Sequence, residues 1–185
     1  AEGAGLAILY DPEVAEAAHR AGEGHRLSAS LGAKSGQPGH RPFEGKFRVE
    51  RLGDGRFTAT GPMWRGARMK LGPMARLLVE DKRADVRVLV ASRKFQAADQ
   101  APFRHLGVEP VEQKILVLKS SVHFRADFQP IAANIITAIA PGPNLADTRK
   151  FPYRNLRPGL RIKPHGPRVL KPEAGTGGGY CSYAD

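Results

Sequence analysis

The sequence predicts an α/β fold: a single domain with a mixed, strand-rich sheet, one clear N-terminal helix, short helices elsewhere and an irregular basic C-terminal tail. Three observations carry this prediction. A short apolar run leads directly into a capped helix near the start of the chain. Several apolar runs of strand length follow, separated by Gly, Pro and charged residues. From Pro141 onward, Pro, Gly and basic residues replace the apolar runs.

The first two elements are a strand and a helix. Leu6 to Tyr10 is an apolar run of strand length. Asp11 is a favoured N-cap residue, and Pro12 fits the first helical position because its missing N–H would have no partner there. Gly22 is expected to end the helix. This stretch therefore predicts a βα unit.

The remaining strands are predicted from alternating or continuous apolar runs. They are expected at residues 25–31, 43–52, 56–60, 74–79, 86–91, 115–118 and 135–140. The Gly53-Asp54-Gly55 turn predicts a β-hairpin that joins the strand at 43–52 to the strand at 56–60. The run Ile115 to Leu118 predicts a buried strand at the centre of the fold.

Two short helices complete the predicted elements. Residues 102–106 are expected to form one helical turn. Val122 to Phe128 is expected to form a short helix, with Ser121 as its N-cap.

Composition limits the classes of protein. The 185 residues include 29 Lys and Arg against 18 Asp and Glu, a formal charge of +11, which predicts attraction to acidic surfaces, nucleic acid or an acidic neighbouring domain. The single cysteine, Cys181, excludes an internal disulfide. No apolar run approaches the roughly 20 residues of a membrane span, and no secretion signal is recognisable. We therefore expect a cytoplasmic protein that does not enter the membrane.

A metal site within the chain is not predicted. The six histidines are scattered, with no HxH or HExxH spacing, and no CxxC pair occurs. A catalytic zinc site needs about three protein ligands in a fixed array. The histidines are His19, His25, His40, His105, His123 and His165.

The polar residues after the strand at 115–118 form the candidate site. Small hydroxyls, two cations and a histidine follow this strand, and a helix N-terminus with nearby positive charge favours anions. A second polar group follows the strand at 86–91. The predicted substrate-binding residues are Lys119, Ser120, Ser121, His123, Arg125, Ser92, Arg93 and Gln96. They would bind a carboxylate by charge-assisted hydrogen bonds, or else form a helix cap and a solvated charged face.

Two other site classes have weaker support. Ser120 or Ser121 beside His123 has the residue types of a nucleophile and its base, but the G-x-S-x-G elbow is absent. Basic residues flank Trp64, yet no helix-turn-helix, zinc-finger or RNP pattern occurs. No catalytic residue is therefore assigned.

Several longer motifs resemble a known family. They are KSSVHFRADFQPIA, Tyr10-Asp11-Pro12, DGRFTATGPMWRG, LGPMARL, ASRKFQ and FPYRNLR. In this order they are similar to the C-terminal domain of the microcystinase C (MlrC) family, zinc metallopeptidases named for degrading linearised microcystin peptides. The resemblance covers about Leu6 to Pro158. It predicts a domain at residues 1–158. Residues 159–185 match none of the family's motifs, and their Pro/Gly-rich, basic composition predicts a flexible extension.

The resemblance also implies the setting of this domain. It implies a two-domain enzyme whose zinc ligands lie in an N-terminal domain, so that this chain, part of a longer protein, is inactive alone. The expected partners are that N-terminal domain and a peptide substrate. Two alternatives remain: a non-catalytic module that docks acidic partners or nucleic acid through its charge, and a structural domain that supports a homodimer.

Overall fold

The structure, a computed structural model, describes residues 3–34, 36, 39–139, 151 and 153–169. The chain divides into two compact units, Ala1–Gly36 with Arg41–Thr137 and Gln37–His40 with Ala138–Asp185. Within the described residues, every helix and strand lies in the first unit. No described helix has both the length and the apolar character needed to cross a membrane.

The first unit contains eight strands and three α-helices among its described residues. In chain order they are β1 (Ala4–Tyr10), α1 (Pro12–Ala21), β2 (Arg26–Leu31), β3 (Phe43–Gly53), β4 (Arg56–Thr58), β5 (Arg68–Lys70), β6 (Met74–Val79), β7 (Val86–Ala91), α2 (Ala101–His105), β8 (Ile115–Leu118) and α3 (Arg125–Phe128). Short 3₁₀ turns occur at Pro110–Glu112 and Gln129–Ile131.

Six strands form one mixed sheet in the order β2-β3-β6-β7-β1-β8, and β4 and β5 form a separate pair. β1 runs parallel to both of its neighbours, β7 and β8. The other pairs in the large sheet are antiparallel. The predicted fold class, a mixed and strand-rich α/β architecture with few and short helices, is confirmed.

The large sheet is covered on both faces. Along β7, Val88 and Val90 pack with the buried face of α1, whereas Leu89 and Ala91 pack with Phe103 of α2 and the α3 region. All four β7 residues are at most 4% exposed. This alternation is what the two-residue period of a strand requires when both faces are buried. The connections that follow β1 and β7 therefore begin on opposite faces of the sheet.

The start of α1 is confirmed. The Asp11 carboxylate is fully buried and accepts a hydrogen bond from the Val14 backbone N–H at 3.2 Å, as an N-cap does. It also accepts from the Gly32 N–H at 2.9 Å and pairs with the Lys34 ammonium at 2.7 Å. Asp11 thus joins the start of α1 to the segment after β2, a role beyond capping.

The predicted hairpin at Gly53 to Gly55 is wrong. β3 pairs with β2 and β6, while β4 pairs with β5. Gly55 has φ +69°, and its carbonyl accepts from the Leu71 N–H at 2.9 Å, so the chain turns toward the start of β6 instead of back along β3. The apolar alternation was correct, but it does not specify which strands pair.

The prediction of a buried central strand at 115–118 is also wrong. The strand exists, but β8 lies at the edge of the sheet, and Ile115 and Val117 are 47% and 48% exposed. Likewise, residues 135–139 form no strand, and Ile136 is 90% exposed, while residue 140 lies outside the described residues. Both runs are apolar, but within the described residues β8 has a neighbouring strand on one side alone and residues 135–139 pair with none.

The short helix begins later than predicted. α3 starts at Arg125 instead of Val122, because the Arg125 N–H bonds to the Val122 carbonyl at 3.1 Å in a tight turn. Phe124 occupies the N-cap position and no side chain caps the helix. Ser121 is therefore not a helix cap.

The second unit is described only in part. The backbones of Arg161 and Arg168 form an isolated antiparallel bridge. Two further hydrogen bonds close the same loop, from the Gly159 N–H to the Val169 carbonyl at 2.9 Å and from the Val169 N–H to the Leu160 carbonyl at 2.8 Å. Most of the predicted extension at 159–185 lies outside the described residues.

Candidate functional site

The carboxyl ends of three parallel strands meet at one edge of the large sheet. β7, β1 and β8 are consecutive neighbours and run in the same direction, so the residues that follow them lie side by side. The backbone confirms this proximity, because the Ala97 N–H reaches the Lys119 carbonyl at 3.4 Å. In open α/β sheets, ligands bind outside the carboxyl ends of strands where the connections leave over opposite faces.

Side chains from two of these segments are joined by hydrogen bonds. The Gln96 Nε2 donates to Ser120 Oγ at 3.0 Å and lies 2.9 Å from Nδ1 of His123. Since an amide nitrogen only donates, Nδ1 of His123 is the acceptor in this contact. We call Gln96, Lys119, Ser120 and His123 the strand-end cluster.

An open depression of about 300 Å³ lies beside this cluster. Its lining residues are Ile8, Tyr10, Lys94, Phe95, Gln96 and Lys119. Each of the three parallel strands, or the segment after it, contributes to the lining. The depression therefore results from the strand order, not from any single loop.

One wall of the depression is aromatic. The Phe95 ring meets Phe57 edge-on at a centroid distance of 6.3 Å and lies 4.9 Å from the Trp64 ring. Tyr10 is 40% exposed, and the Lys94 ammonium lies 5.4 Å from the centre of its ring, within the range of a cation–π contact. These contacts hold Phe95 and Lys94 in place at the edge of the sheet.

The depression is positively charged. Lys94 and Lys119 are both exposed. Within the described part of the chain, neither forms a salt bridge with an acidic group. Two cations without acidic partners, next to hydroxyl and imidazole groups, favour an anionic ligand.

The other predicted residues lie around this centre with different contacts. Ser92 Oγ donates a hydrogen bond to the Pro73 carbonyl at 2.8 Å, and Nη1 of Arg93 donates one to the Lys70 carbonyl at 3.4 Å. Ser121 is exposed, and the guanidinium of Arg125 lies 5.3 Å from the ring centre of Phe124. Of the eight predicted residues, the structure thus brings together Gln96, Lys119, Ser120 and His123.

Sequence reasoning missed Tyr10, Lys94 and Phe95. Lys94 and Phe95 lie between two residues that were predicted, so proximity in sequence was an available signal. No local signal identifies Tyr10, because its position depends on β1 lying between β7 and β8.

Asp99 and Asp127, the first fully buried and the second half-buried, already have hydrogen-bond donors. Asp99 is fully buried and accepts from the backbone N–H groups of Gly61 and Ala101, both at 2.8 Å. The Asp127 carboxylate accepts from the Gln100 N–H at 2.7 Å. These bonds fix the loop after β4 and the start of α2, which is a structural role.

The donor groups do not fit a catalytic metal site. No three His, Cys, Asp or Glu side chains converge anywhere in the described ranges. His19 Nε2 donates to the Met74 carbonyl at 3.0 Å, and His105 Nε2 accepts from the Gly55 N–H at 3.1 Å. His25 Nδ1 lies 3.2 Å from the Glu23 carbonyl. These histidines bond to backbone groups, and His123 bonds to Gln96.

Three solved chains are similar to this one. Among them is a crystal structure, at 2.13 Å resolution, described as a "putative metallopeptidase" from Mesorhizobium sp. BNC1. The TM-score is 0.70 and the identity 28%, over 85% of this chain and 31% of that one. This chain therefore spans about a third of the length of that protein. No protein of curated function matches the sequence.

A family model gives the more specific result. The model described as "MlrC C-terminus" matches residues 1–155, which include every described strand and helix and the whole strand-end cluster. The chain therefore belongs to the MlrC C-terminal domain family.

Proposed function

We propose that this chain is the substrate-binding C-terminal domain of an MlrC-like metallopeptidase. The observation that carries the proposal is the convergence of the strand-end cluster and Lys94 at the carboxyl edge of three parallel strands, where neither Lys94 nor Lys119 pairs with an acidic group among the described residues. Ligands of open α/β sheets bind at such an edge, and a peptide carboxylate would form charge-assisted hydrogen bonds with its cations.

The roles of the predicted residues follow from their chemistry. Lys119 and Arg125 pair with a peptide carboxylate, and Ser120, Ser121 and His123 hydrogen-bond to the polar peptide backbone. Gln96 orients Ser120 and His123 through the two contacts described above. Ser92 and Arg93 support the segment that carries Gln96.

The metal belongs to another domain in this proposal. Support comes from the solved metallopeptidase, of which this chain covers only 31%, and from the lack of converging ligands in the described ranges. A preceding N-terminal domain would hold zinc, which supplies an activated water for hydrolysis. The substrates would be cytoplasmic peptides of the linearised-microcystin type, and this chain would position them.

Photo-crosslinking tests the proposal. The full-length protein that contains this chain is treated with a chelator to prevent cleavage, and then with the tetrapeptide Ala-Bpa-Ala-Leu, where Bpa is p-benzoylphenylalanine. We expect crosslinks, mapped by mass spectrometry, within residues 8–10, 92–96 and 119–125, because each of these segments contributes residues to the lining of the depression. An excess of Ala-Ala-Ala-Leu should suppress them.

Crosslinks found only elsewhere in the protein would contradict the proposal. The alternative, a charge-driven docking module, rests on the formal charge of +11. It would be favoured if no peptide crosslinked and if a polyanion such as heparin bound with a steep dependence on salt.

A further inference from the structure

We infer that the depression is a subsite for the C-terminal residue of a peptide, with preference for a free carboxylate next to an apolar side chain. The inference rests on the proposed function and narrows it to a substrate class. Three residues that the sequence did not single out, Tyr10, Lys94 and Phe95, define this subsite together with Lys119.

The polar half of the subsite suits one carboxylate. Lys94 and Lys119 approach from the segments after β7 and β8, on either side of β1. Neither ammonium is neutralised by a described acidic group, as noted above. The Tyr10 ring holds the Lys94 ammonium at 5.4 Å, so the charge is kept over the depression instead of extending freely into solvent.

The apolar half suits a hydrophobic side chain. Ile8 is 1% exposed and forms part of the lining, while Tyr10 is 40% exposed and offers its ring to a ligand. Phe95 is held by its contacts with Phe57 and Trp64. Because the packing of Ile8 and Phe95 does not depend on a ligand, these side chains lose little conformational entropy on binding.

The size of the depression favours the end of a peptide. Its volume of about 300 Å³ is at the lower limit of ligand pockets, which span about 300–1,000 Å³. A long peptide would extend beyond it, along the strand-end cluster. A C-terminal residue would occupy the polar half and the apolar half together, because its carboxylate and its side chain are attached to the same Cα atom.

The test measures two preferences in the full-length protein that contains this chain. The probes are Ala-Ala-Ala-Leu as free acid, the same peptide as C-terminal amide, and Ala-Ala-Ala-Gly as free acid. Calorimetry with chelated protein gives the Kd, and kcat/KM is measured with metal present. We expect the free acid to bind about tenfold more tightly than the amide, the effect of a charge-assisted hydrogen bond. Leu should bind several-fold more tightly than Gly.

Two variants should separate the halves of the subsite. Lys94→Met keeps the aliphatic stem and should reduce the preference for acid over amide several-fold, because Lys119 alone remains, while the preference for Leu over Gly persists. Tyr10→Ala should weaken the preference for Leu, and Tyr10→Phe should retain it. Lys82→Met is the matched control, because Lys82 is an exposed lysine in the turn between β6 and β7 and should change neither preference.

The inference would be overturned if Lys94→Met left the ratio of acid to amide binding unchanged, or if the wild type had no such preference. These outcomes differ from failure of the proposed function. Cleavage without any C-terminal preference would remove the subsite and keep the peptidase role. Carboxylate-dependent binding without cleavage would keep the subsite and remove the peptidase role.

Discussion

At the scale of single residues, the sequence was most informative where chemistry is local. Asp11 was predicted to cap α1 because Asp is favoured at the N-cap and Pro at the first helical position, and the structure confirms this cap. Its bonds to Gly32 and Lys34 were not predictable, since those partners lie about twenty positions away. For the same reason Tyr10 could not be placed in the candidate site. Its neighbour Lys94 belongs to a segment more than eighty positions away.

His105 gives a residue-scale prediction about pH. Burial lowers the pKa of His105 below its ordinary value of 6.5, although Asp54 raises it in part and Arg51 lowers it further. The neutral ring is the form that accepts the Gly55 N–H. The unfolded chain therefore takes up a proton at a higher pH than the folded chain does, and the free energy of unfolding must fall as the pH drops below 6.5.

Urea unfolding of the wild type and of His105→Asn between pH 5 and pH 8 measures this contribution. The wild type should lose stability from about pH 6.5 downward, toward the lowered pKa of the folded state. His105→Asn, which does not titrate, should lose less over the same range. Parallel curves for the two proteins would show that His105 does not contribute.

At the scale of elements, helix α1 and most strands were predictable, but their pairing was not. The strands at 74–79 and 86–91 were predicted with the bounds that the structure has. The predicted hairpin was wrong because apolar alternation identifies a strand but does not identify the strand that pairs with it. The predicted burial of β8 was wrong because the same kind of apolar run occurs in central strands and in edge strands.

Gly55 carries an element-scale prediction. Its φ of +69° is strained for other residues, and an added Cβ would lie 2.2 Å from the Gly72 carbonyl oxygen. Gly55→Ala should therefore lower the free energy of unfolding by about 3 kcal/mol or more, through strain and overlap together. Urea unfolding gives the value.

Gly24→Ala is the matched control for this substitution. Gly24 has a similar φ, +82°, but nothing lies within 4 Å of an added Cβ. This variant should cost only about 1 kcal/mol, the strain term alone. Equal costs at the two positions would mean that the close approach between Gly55 and Gly72 is not important for stability.

At the scale of the whole molecule, the candidate site is a product of topology. The sequence predicted that the polar segments after β7 and β8 converge if these two strands are adjacent. The structure instead inserts β1 between β7 and β8, which adds Tyr10 and creates the depression. The net charge of +11 predicted attraction to acidic surfaces, nucleic acid or an acidic neighbouring domain, but it did not predict that Lys94 and Lys119 lie at the same edge of the sheet. Strand order depends on contacts across the whole chain, so local patterns could not supply it.

Substrate binding at this edge of the sheet is the proposal on which the other functional predictions depend. The most direct test is kcat/KM of the full-length protein with Lys119→Met, compared with Lys82→Met, on a peptide that the wild type cleaves. We predict a fall of about tenfold or more for Lys119→Met, because a charge-assisted hydrogen bond is lost, and a change of less than about twofold for the control. An unchanged kcat/KM for a folded Lys119→Met protein would contradict the proposal.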